Sequence, residues 1–139
     1  MEHILTSASN RILVVEDDAL VRELIVEILA DAGYAMSEVS CADEALDLFC
    51  RQPDLAAKIA VVVTDIDMPG EIDGLGLAAR LAAAWPQIGV VVTSGARRAE
   101  TRTLRQPSVF LAKPFRPDRL VAAVSSVIVA GARHERHAC

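Results

Sequence analysis

Cysteine, basic charge and long apolar runs are all scarce in this sequence, and each scarcity excludes a class of protein. Only three of the 139 residues are cysteine, an odd number, so a disulfide-stapled secreted domain is not indicated. The formal net charge of −5 argues against a nucleic-acid-binding surface. The longest apolar run, residues 120–132, has 13 residues and contains two serines. It is too short for a membrane span, which needs ~20 residues.

The first ten residues have neither the basic start nor the apolar core of a signal peptide. We therefore expect a soluble, cytoplasmic protein with reduced thiols, no membrane contact and no nucleic-acid partner. His134, His137 and Cys139 could offer metal ligands, but three ligands on a polar terminus favour a frayed tail. The one basic cluster predicts a solvated helix face; it contains Arg97, Arg98, Arg102 and Arg105.

Short β-branched runs alternate with longer amphipathic runs along the chain. Strands are predicted at residues 12–15, 34–39, 59–64, 88–93 and 108–112. Helices are predicted at 19–32, from a Ser40–Asp43 capping box to before Pro53, at 75–85, at 96–105 and from Pro117 to about Gly131. Five such units without a repeat or linker predict one α/β domain over residues 11–131, with a doubly wound parallel sheet. Residues 1–10 and 132–139 are predicted as an extension and a tail.

Polar residues follow four predicted strands directly, where ligands of open parallel sheets bind. They are Glu16, Asp17 and Asp18 after the first strand, Asp65 and Asp67 after the third, Thr93 and Ser94 at the end of the fourth, and Lys113 after the fifth. Acids that converge at one edge repel one another, and a hard divalent cation such as Mg²⁺ removes that repulsion. A carboxylate beside Mg²⁺ is also a competent nucleophile toward phosphorus, while a lysine and a hydroxyl can bind the phosphoryl oxygens.

Each of these residues also has a simpler interpretation. Asp18 alone is typical of a helix N-cap, and Asp67 of a turn. Ser94 could lie in an ordinary loop, and Lys113 could be a solvated lysine. Their joint position at the strand ends favours a phosphoryl site over four unrelated structural roles.

Four stretches of the chain carry a more specific pattern. They are residues 12–18 (ILVVEDD), 62–70 (VVTDIDMPG), 92–95 (VTSG) and 110–115 (FLAKPF). Any one is weak, but all four in this order, within residues 11–130, resemble the receiver domain of two-component response regulators. The resemblance implies a flavodoxin-like, five-stranded parallel sheet of order 2-1-3-4-5 with five helices.

The resemblance also implies a role for each site residue. Asp65 is the phosphoacceptor, and Glu16 and Asp17 are the acidic pair. These three carboxylates hold Mg²⁺ together with the backbone carbonyl of Asp67. Lys113 binds the phosphoryl group.

Two further residues are implied to switch the domain. Ser94 supplies a hydroxyl that moves toward the phosphoryl group, and Phe110 turns inward with it. Thr93 is the alternative to Ser94, which is preferred because the small Gly95 follows it. A cis peptide bond is implied before Pro114.

The implied function is that of a stand-alone response regulator. It accepts a phosphoryl group from a histidine kinase or phosphotransfer protein and acts on an unknown downstream protein, so it is not an enzyme in the usual sense. The last helix has an apolar face that packs partly on the sheet and could also form a homodimer contact. That face comprises Leu120, Val121, Val124, Val127, Ile128 and Val129.

Two alternatives stay open. One is a pseudo-receiver, which keeps the fold and binds partners without phosphorylation. The other is a haloacid-dehalogenase-type phosphatase, whose opening motif resembles residues 62–67 but has threonine at the position of Pro69.

The chain departs from the family pattern at two places. The interval between Ser94 and Lys113 is shorter than in typical receivers, and the usual Ala-Gly segment before the last strand is missing. The fourth helix is therefore predicted to be short or irregular. The second departure is the extra carboxylate of Asp67, two residues beyond Asp65.

We predict that Asp67→Asn changes the lifetime of the phosphorylated state, because the Asp67 carboxylate can tune the access of water to the phosphoryl group. The measurement is the decay of phosphorylated protein after the donor is removed, followed by intact mass in both proteins. Equal decay rates would contradict the prediction.

Overall fold

The computed structural model of this protein describes residues 11–68, 70–95 and 108–138, with only the backbone described for 129–138. The helix predicted at 96–105, its predicted irregularity and its basic cluster therefore lie outside the described residues. The same holds for the N-terminal extension and for the side chains of the predicted C-terminal tail.

Five strands form one parallel sheet, as the sequence predicts. They are β1 (Arg11–Val15), β2 (Ala35–Val39), β3 (Ile59–Asp65), β4 (Gly89–Ser94) and β5 (Ser108–Ala112), and their order is β2-β1-β3-β4-β5. The strands β1, β3 and β4 consist mainly of buried Val, Ile and Leu, because a parallel sheet is covered on both faces. Asp65 at the end of β3 pairs with Thr93 of β4, so the carboxyl ends of the central strands meet at one edge.

The described residues contain five helices: α1 (Ala19–Asp31), α2 (Ala42–Arg51), α3 (Pro53–Ala56), α4 (Gly74–Ala84) and α5 (Pro117–Ala138). Asp18 is the N-cap of α1, as predicted, and its side chain accepts from the amides of Leu20 and Val21. Gly33 follows α1 with a φ of 104°, a conformation that favours glycine. The single-turn helix α3 was not predicted, and α5 extends beyond its predicted end near residue 131.

The predicted capping box between Ser40 and Asp43 at the start of α2 is wrong. Cys41, not Ser40, is the N-cap, and its side chain makes no capping hydrogen bond. The amide and the hydroxyl of Ser40 instead donate to Oε1 of Glu44, at 2.7 and 2.9 Å. Because the helix begins one residue later than the motif assumes, Glu44 and not Asp43 reaches back.

The sheet separates two apolar layers, one on each face. On one face Phe49 of α2 and Leu81 of α4 pack in the layer that contains Leu13. On the other face Ile25 of α1 and Leu120 of α5 pack in the second layer. Each of these side chains is essentially fully buried, and burying one stabilises the fold by about 1.5–3 kcal/mol. The two layers hold the strand ends, and hence the polar residues on them, in fixed positions.

The apolar face of α5 is largely used by this packing. Leu120, Val124 and Val127 are buried in the second layer, and Val121 and Ile128 are half-buried against it. The homodimer contact stays a prediction. No helix in the described part of the chain is long and apolar enough to span a membrane.

Gly74 lies where α4 begins against the end of β3. Its amide donates to the carbonyl of Ile66 at 3.0 Å. A β-carbon added at this glycine would lie 2.8 Å from the carbonyl carbon of Asp65 and 2.9 Å from the α-carbon of Ile66. Both are main-chain atoms, so α4 can approach the strand this closely only with glycine here.

We predict that Gly74→Ala destabilises the protein by about 1–3 kcal/mol, because the added methyl group must displace main-chain atoms of β3. Gly76→Ala in the same helix is the matched control. There the added β-carbon would meet mainly the side chain of Ile72, and alanine has the higher helix propensity. Denaturant-induced unfolding of both variants measures the difference; equal stability would contradict the argument.

Candidate functional site

The acidic residue Glu16 lies directly after β1 and is 2% exposed. Its amide donates to the carbonyl of Val39 in β2 at 3.2 Å. Its Oε2 accepts the amide hydrogen of Asp18 at 3.1 Å. Its Oε1 is buried and accepts no hydrogen bond from the part of the chain that the structure describes. This is costly for a carboxylate unless a cation compensates it.

Asp65 and Lys113 meet beside this oxygen. Asp65 is the last residue of β3 and is 8% exposed. The Nζ of Lys113, from the loop after β5, donates to Oδ2 of Asp65 at 3.0 Å. The same Nζ lies 3.6 Å from Oε1 of Glu16, close enough for an ion pair but too long for a hydrogen bond. The structure therefore brings the predicted phosphoacceptor and the predicted lysine together.

The exposed Asp17 completes a cluster of three carboxylates. One oxygen each from Glu16, Asp17 and Asp65 lies within 4.8 Å of the others. Among residues 11–68, 70–95 and 108–128, whose side chains are described, Lys113 is the cation that pairs with this cluster, so its three carboxylates outnumber the positive charge. The buried Oε1 of Glu16 and the oxygen-only donor set fit a hard divalent cation such as Mg²⁺.

The charges at the site change the affinities of its groups for protons. Burial raises the pKa of Glu16, and the charges of Asp65 and Asp17 add to that effect. The hydrogen bond from the Asp18 amide and the charge of Lys113 oppose it. Burial alone would lower the pKa of Lys113, but its hydrogen bond to Asp65 and the charge of Glu16 raise it on balance.

Ser94 and Thr93 lie at the end of β4, and both are buried. The hydroxyl of Ser94 donates to the carbonyl of Gly95 at 3.0 Å. The carbonyl of Ser94 accepts from the amide of Lys113 at 2.7 Å, which fixes the lysine-bearing loop to β4. The hydroxyl of Thr93 reaches the carbonyl of Thr64 at 3.5 Å, the limit of a hydrogen bond.

The remaining predicted residues are placed as follows. Phe110 in β5 is partly buried and packs against the first apolar layer. The side chain of Asp67 is exposed and is not one of the three clustered carboxylates. The role of its backbone carbonyl stays a prediction. The peptide bond between Lys113 and Pro114 is cis, as the resemblance implies.

Two residues at the site were missed by the reasoning from sequence. Gly74 carried a signal, a glycine directly after an aspartate that caps a helix. No feature of the sequence indicates a role for Arg22, because its contact is with a main-chain atom six positions earlier. Its Nη1 donates to the carbonyl of Glu16 at 2.8 Å.

The sequence pattern of the response regulator receiver domain family matches residues 12–125. This chain belongs to that family. Receiver domains are signalling phosphoacceptor modules that interact with histidine kinases or phosphotransfer proteins, and they typically bind Mg²⁺ in an acidic pocket.

Curated relatives include response regulators and a sensor kinase. The chain is 31% identical over 114 residues to a putative NtrX-like response regulator of Rickettsia conorii, covering 79% of this chain and 23% of that protein. It is 34% identical over 125 residues to the sensor kinase CckA of Brucella abortus, covering 88% of this chain and 13% of that one. This receiver thus spans less than a quarter of the length of these relatives.

Solved structures agree with the fold. The receiver domain of NtrX from Brucella abortus has a TM-score of 0.74 at 31% identity, covering 85% of this chain and 98% of that chain. A response regulator receiver protein from Sinorhizobium medicae has a TM-score of 0.78 at 30% identity, covering 88% and 97%. The receiver fold predicted from the sequence is therefore confirmed.

We predict that Glu16→Gln stabilises this receiver at neutral pH in the absence of divalent cations, by on the order of 1 kcal/mol. The variant removes a buried charge, and Lys113 keeps its partner Asp65. Because folding raises the pKa of Glu16 above its usual 4.5, the stability from this group is present below that pH. It is lost as the pH rises through the folded-state pKa, so the advantage of the variant should grow with pH.

Glu44→Gln is the control with the opposite sign. Hydrogen bonds from the amide and hydroxyl of Ser40 lower the pKa of the exposed Glu44. Its stability contribution is present above the usual pKa of 4.5 and is lost as the pH falls. Unfolding free energies of both variants, measured from about pH 4, near the usual carboxylate pKa, to about pH 8, give the comparison. A Glu16→Gln effect that does not vary with pH would contradict the assignment.

Proposed function

We propose that this receiver accepts a phosphoryl group on Asp65, in a Mg²⁺-dependent reaction, from a sensor histidine kinase or phosphotransfer protein. The observation that carries the proposal is the contact of Lys113 with Asp65 at 3.0 Å, beside Oε1 of Glu16, which accepts no hydrogen bond from the described residues. A nucleophilic carboxylate, a lysine and two further acids in one place are what phosphoryl transfer to aspartate requires.

Glu16, Asp17 and Asp65 would hold the Mg²⁺, with the backbone carbonyl of Asp67 as a further ligand. When bound, the ion supplies positive charge to neutralise the phosphoryl oxygens. In the transfer, an oxygen of Asp65 forms a bond to phosphorus, and the phosphorus–nitrogen bond of the donor's phosphohistidine breaks. The second ring nitrogen of the phosphohistidine carries a proton, so the leaving group is a neutral imidazole and atoms and charges balance.

Lys113 and Ser94 would then exchange partners. The carboxylate oxygen that Lys113 contacts loses its full negative charge once Asp65 is esterified, so the ammonium group pairs with a phosphoryl oxygen instead. The hydroxyl of Ser94, now bonded to the Gly95 carbonyl, would donate to another phosphoryl oxygen. Phe110 would move with it and change the surface that a downstream protein binds.

The proposal also includes that this protein acts as a stand-alone regulator in the cytoplasm. Relatives such as the NtrX-like regulators extend far beyond the receiver. In a stand-alone receiver, the downstream response would depend on the protein that binds its phosphorylated form. The proposed phosphorylation of Asp65 is the same whether the receiver acts alone or within a longer protein.

We predict that acetyl phosphate or phosphoramidate with Mg²⁺ adds one phosphate to the wild-type protein, as read by intact mass. Asp65→Asn should show no adduct, because an amide cannot replace the nucleophilic carboxylate. Asp67→Asn is the matched control and should still be phosphorylated. Chelation of Mg²⁺ should abolish the adduct in both acceptor-competent proteins.

Three outcomes would contradict the proposal. Absence of an adduct with every donor would favour a pseudo-receiver that only binds partners. An adduct that persists in Asp65→Asn would place the phosphoacceptor elsewhere. Repeated release of phosphate from small phosphomonoesters would favour the phosphatase.

A further inference from the structure

Arg22 of α1 contacts both the acidic loop and the neighbouring strand. Its Nη1 donates to the main-chain carbonyl of Glu16 at 2.8 Å. Its Nε donates to Oε1 of Glu38 in β2 at 3.1 Å. The arginine side chain is 21% exposed and that of Glu38 is 51% exposed. The planar guanidinium thus joins three elements: α1, β2 and the loop after β1.

This contact completes the restraint of Glu16. Its amide is bonded to Val39, its carbonyl to Arg22 and its Oε2 to the amide of Asp18. Within the described residues, Oε1 is the polar atom of Glu16 that has no hydrogen bond, and it faces the carboxylate cluster and Lys113. Hydrogen bonds to the amide, the carbonyl and Oε2 of Glu16 therefore fix the position of its Oε1.

The same contact orients Asp17. The carbonyl of Glu16 and the amide of Asp17 belong to one planar peptide group, so a hydrogen bond to that carbonyl fixes the plane from which Asp17 projects. Asp17 is exposed, and burial does not restrain its side chain. The contact of Arg22 with the Glu16 carbonyl is therefore one restraint on the position of the Asp17 carboxylate.

We propose that Arg22 is a positioning residue for Mg²⁺, which raises the affinity of the site by fixing the Glu16–Asp17 peptide, with Glu38 holding the arginine. This inference rests on the proposed function, since it concerns the ion of the same site. Groups behind metal ligands often contribute about 10–100-fold to affinity, and a contact with a main-chain carbonyl belongs at the lower end of that range.

Removal of Arg22 should change the Mg²⁺ affinity in one direction through the loss of charge and in the opposite direction through the loss of positioning. By Coulomb's law alone, removal of a cation beside the site should strengthen the binding of another cation. Loss of positioning should weaken it. Weaker binding of Mg²⁺ by Arg22→Met can therefore not be ascribed to the change in charge.

The test is the Mg²⁺ affinity of the unphosphorylated protein, obtained from the rise of its unfolding free energy with Mg²⁺ concentration. We expect Arg22→Met to bind Mg²⁺ about tenfold more weakly than the wild type. Glu38→Asp, which keeps both charges but withdraws the carboxylate from Arg22 by one methylene group, should weaken binding by a smaller factor. The control is Arg51→Met, which removes an exposed arginine that pairs with Asp47 and should leave the affinity unchanged.

A second readout separates positioning from a general loss of structure. The rate of phosphorylation by acetyl phosphate should require more Mg²⁺ for half-saturation in Arg22→Met, while the rate at saturating Mg²⁺ stays within about twofold of the wild type. A lower saturating rate with an unchanged Mg²⁺ requirement would overturn the inference.

The outcomes also distinguish this inference from the proposed function. If the wild type binds Mg²⁺ and Arg22→Met binds it equally well or more tightly, only the inference fails. If the wild type neither binds Mg²⁺ nor needs it for phosphorylation, the proposed function and the inference fail together. Should Arg22→Met not fold, the same comparison is made with Glu38→Asp, for which unchanged affinity would overturn the role of the arginine contact.

Discussion

The repulsion among three carboxylates at one edge of the sheet is the constraint on which the rest of this structure depends. Glu16, Asp17 and Asp65 have oxygens within 4.8 Å of one another, and Lys113 contacts two of the three. Two unit charges at this range interact by roughly 4 kcal/mol at an effective dielectric constant of 20. Acids on flexible segments would move apart, whereas these stand at the ends of strands packed in two apolar layers.

Main-chain contacts carry that rigidity from the core to the charged groups. The amide of Lys113 is bonded to the carbonyl of Ser94, so the lysine is fixed to β4 and not merely to its own loop. Gly74 lets α4 press against the main chain of Asp65. The apolar layers therefore stabilise an arrangement of charges that electrostatics alone would disperse, and the stored repulsion is what makes the site receptive to cations.

The sheet was predictable because buried parallel strands form short continuous runs of Val, Ile and Leu, a pattern that amphipathic helices and half-exposed strands do not show. The cluster was predictable because the strand order that the resemblance implies places the ends of β1 and β3 side by side. Prediction failed where the outcome depends on one residue of register, as in the exchange of Asp43 for Glu44 at the start of α2. The contact of Arg22 with Glu16 was not predictable, because helical periodicity identifies the face on which a side chain lies but not the carbonyl that it will reach.

The choice of a main-chain carbonyl as the partner of Arg22 has a physical reason. An arginine bonded directly to a carboxylate of the cluster would occupy oxygens that a divalent cation needs, and its fixed charge would oppose that cation. Lys113 already makes such a contact with Asp65, but in the proposed transfer this single point charge changes its partner to a phosphoryl oxygen. A guanidinium anchored to Glu16 through its carbonyl, and to Glu38 on the far side, orients the acidic pair without occupying its side-chain oxygens. Of the described residues, Lys113 and Arg22 are thus proposed to differ in role: the lysine neutralises charge and changes partner, whereas the arginine keeps the acidic pair in position.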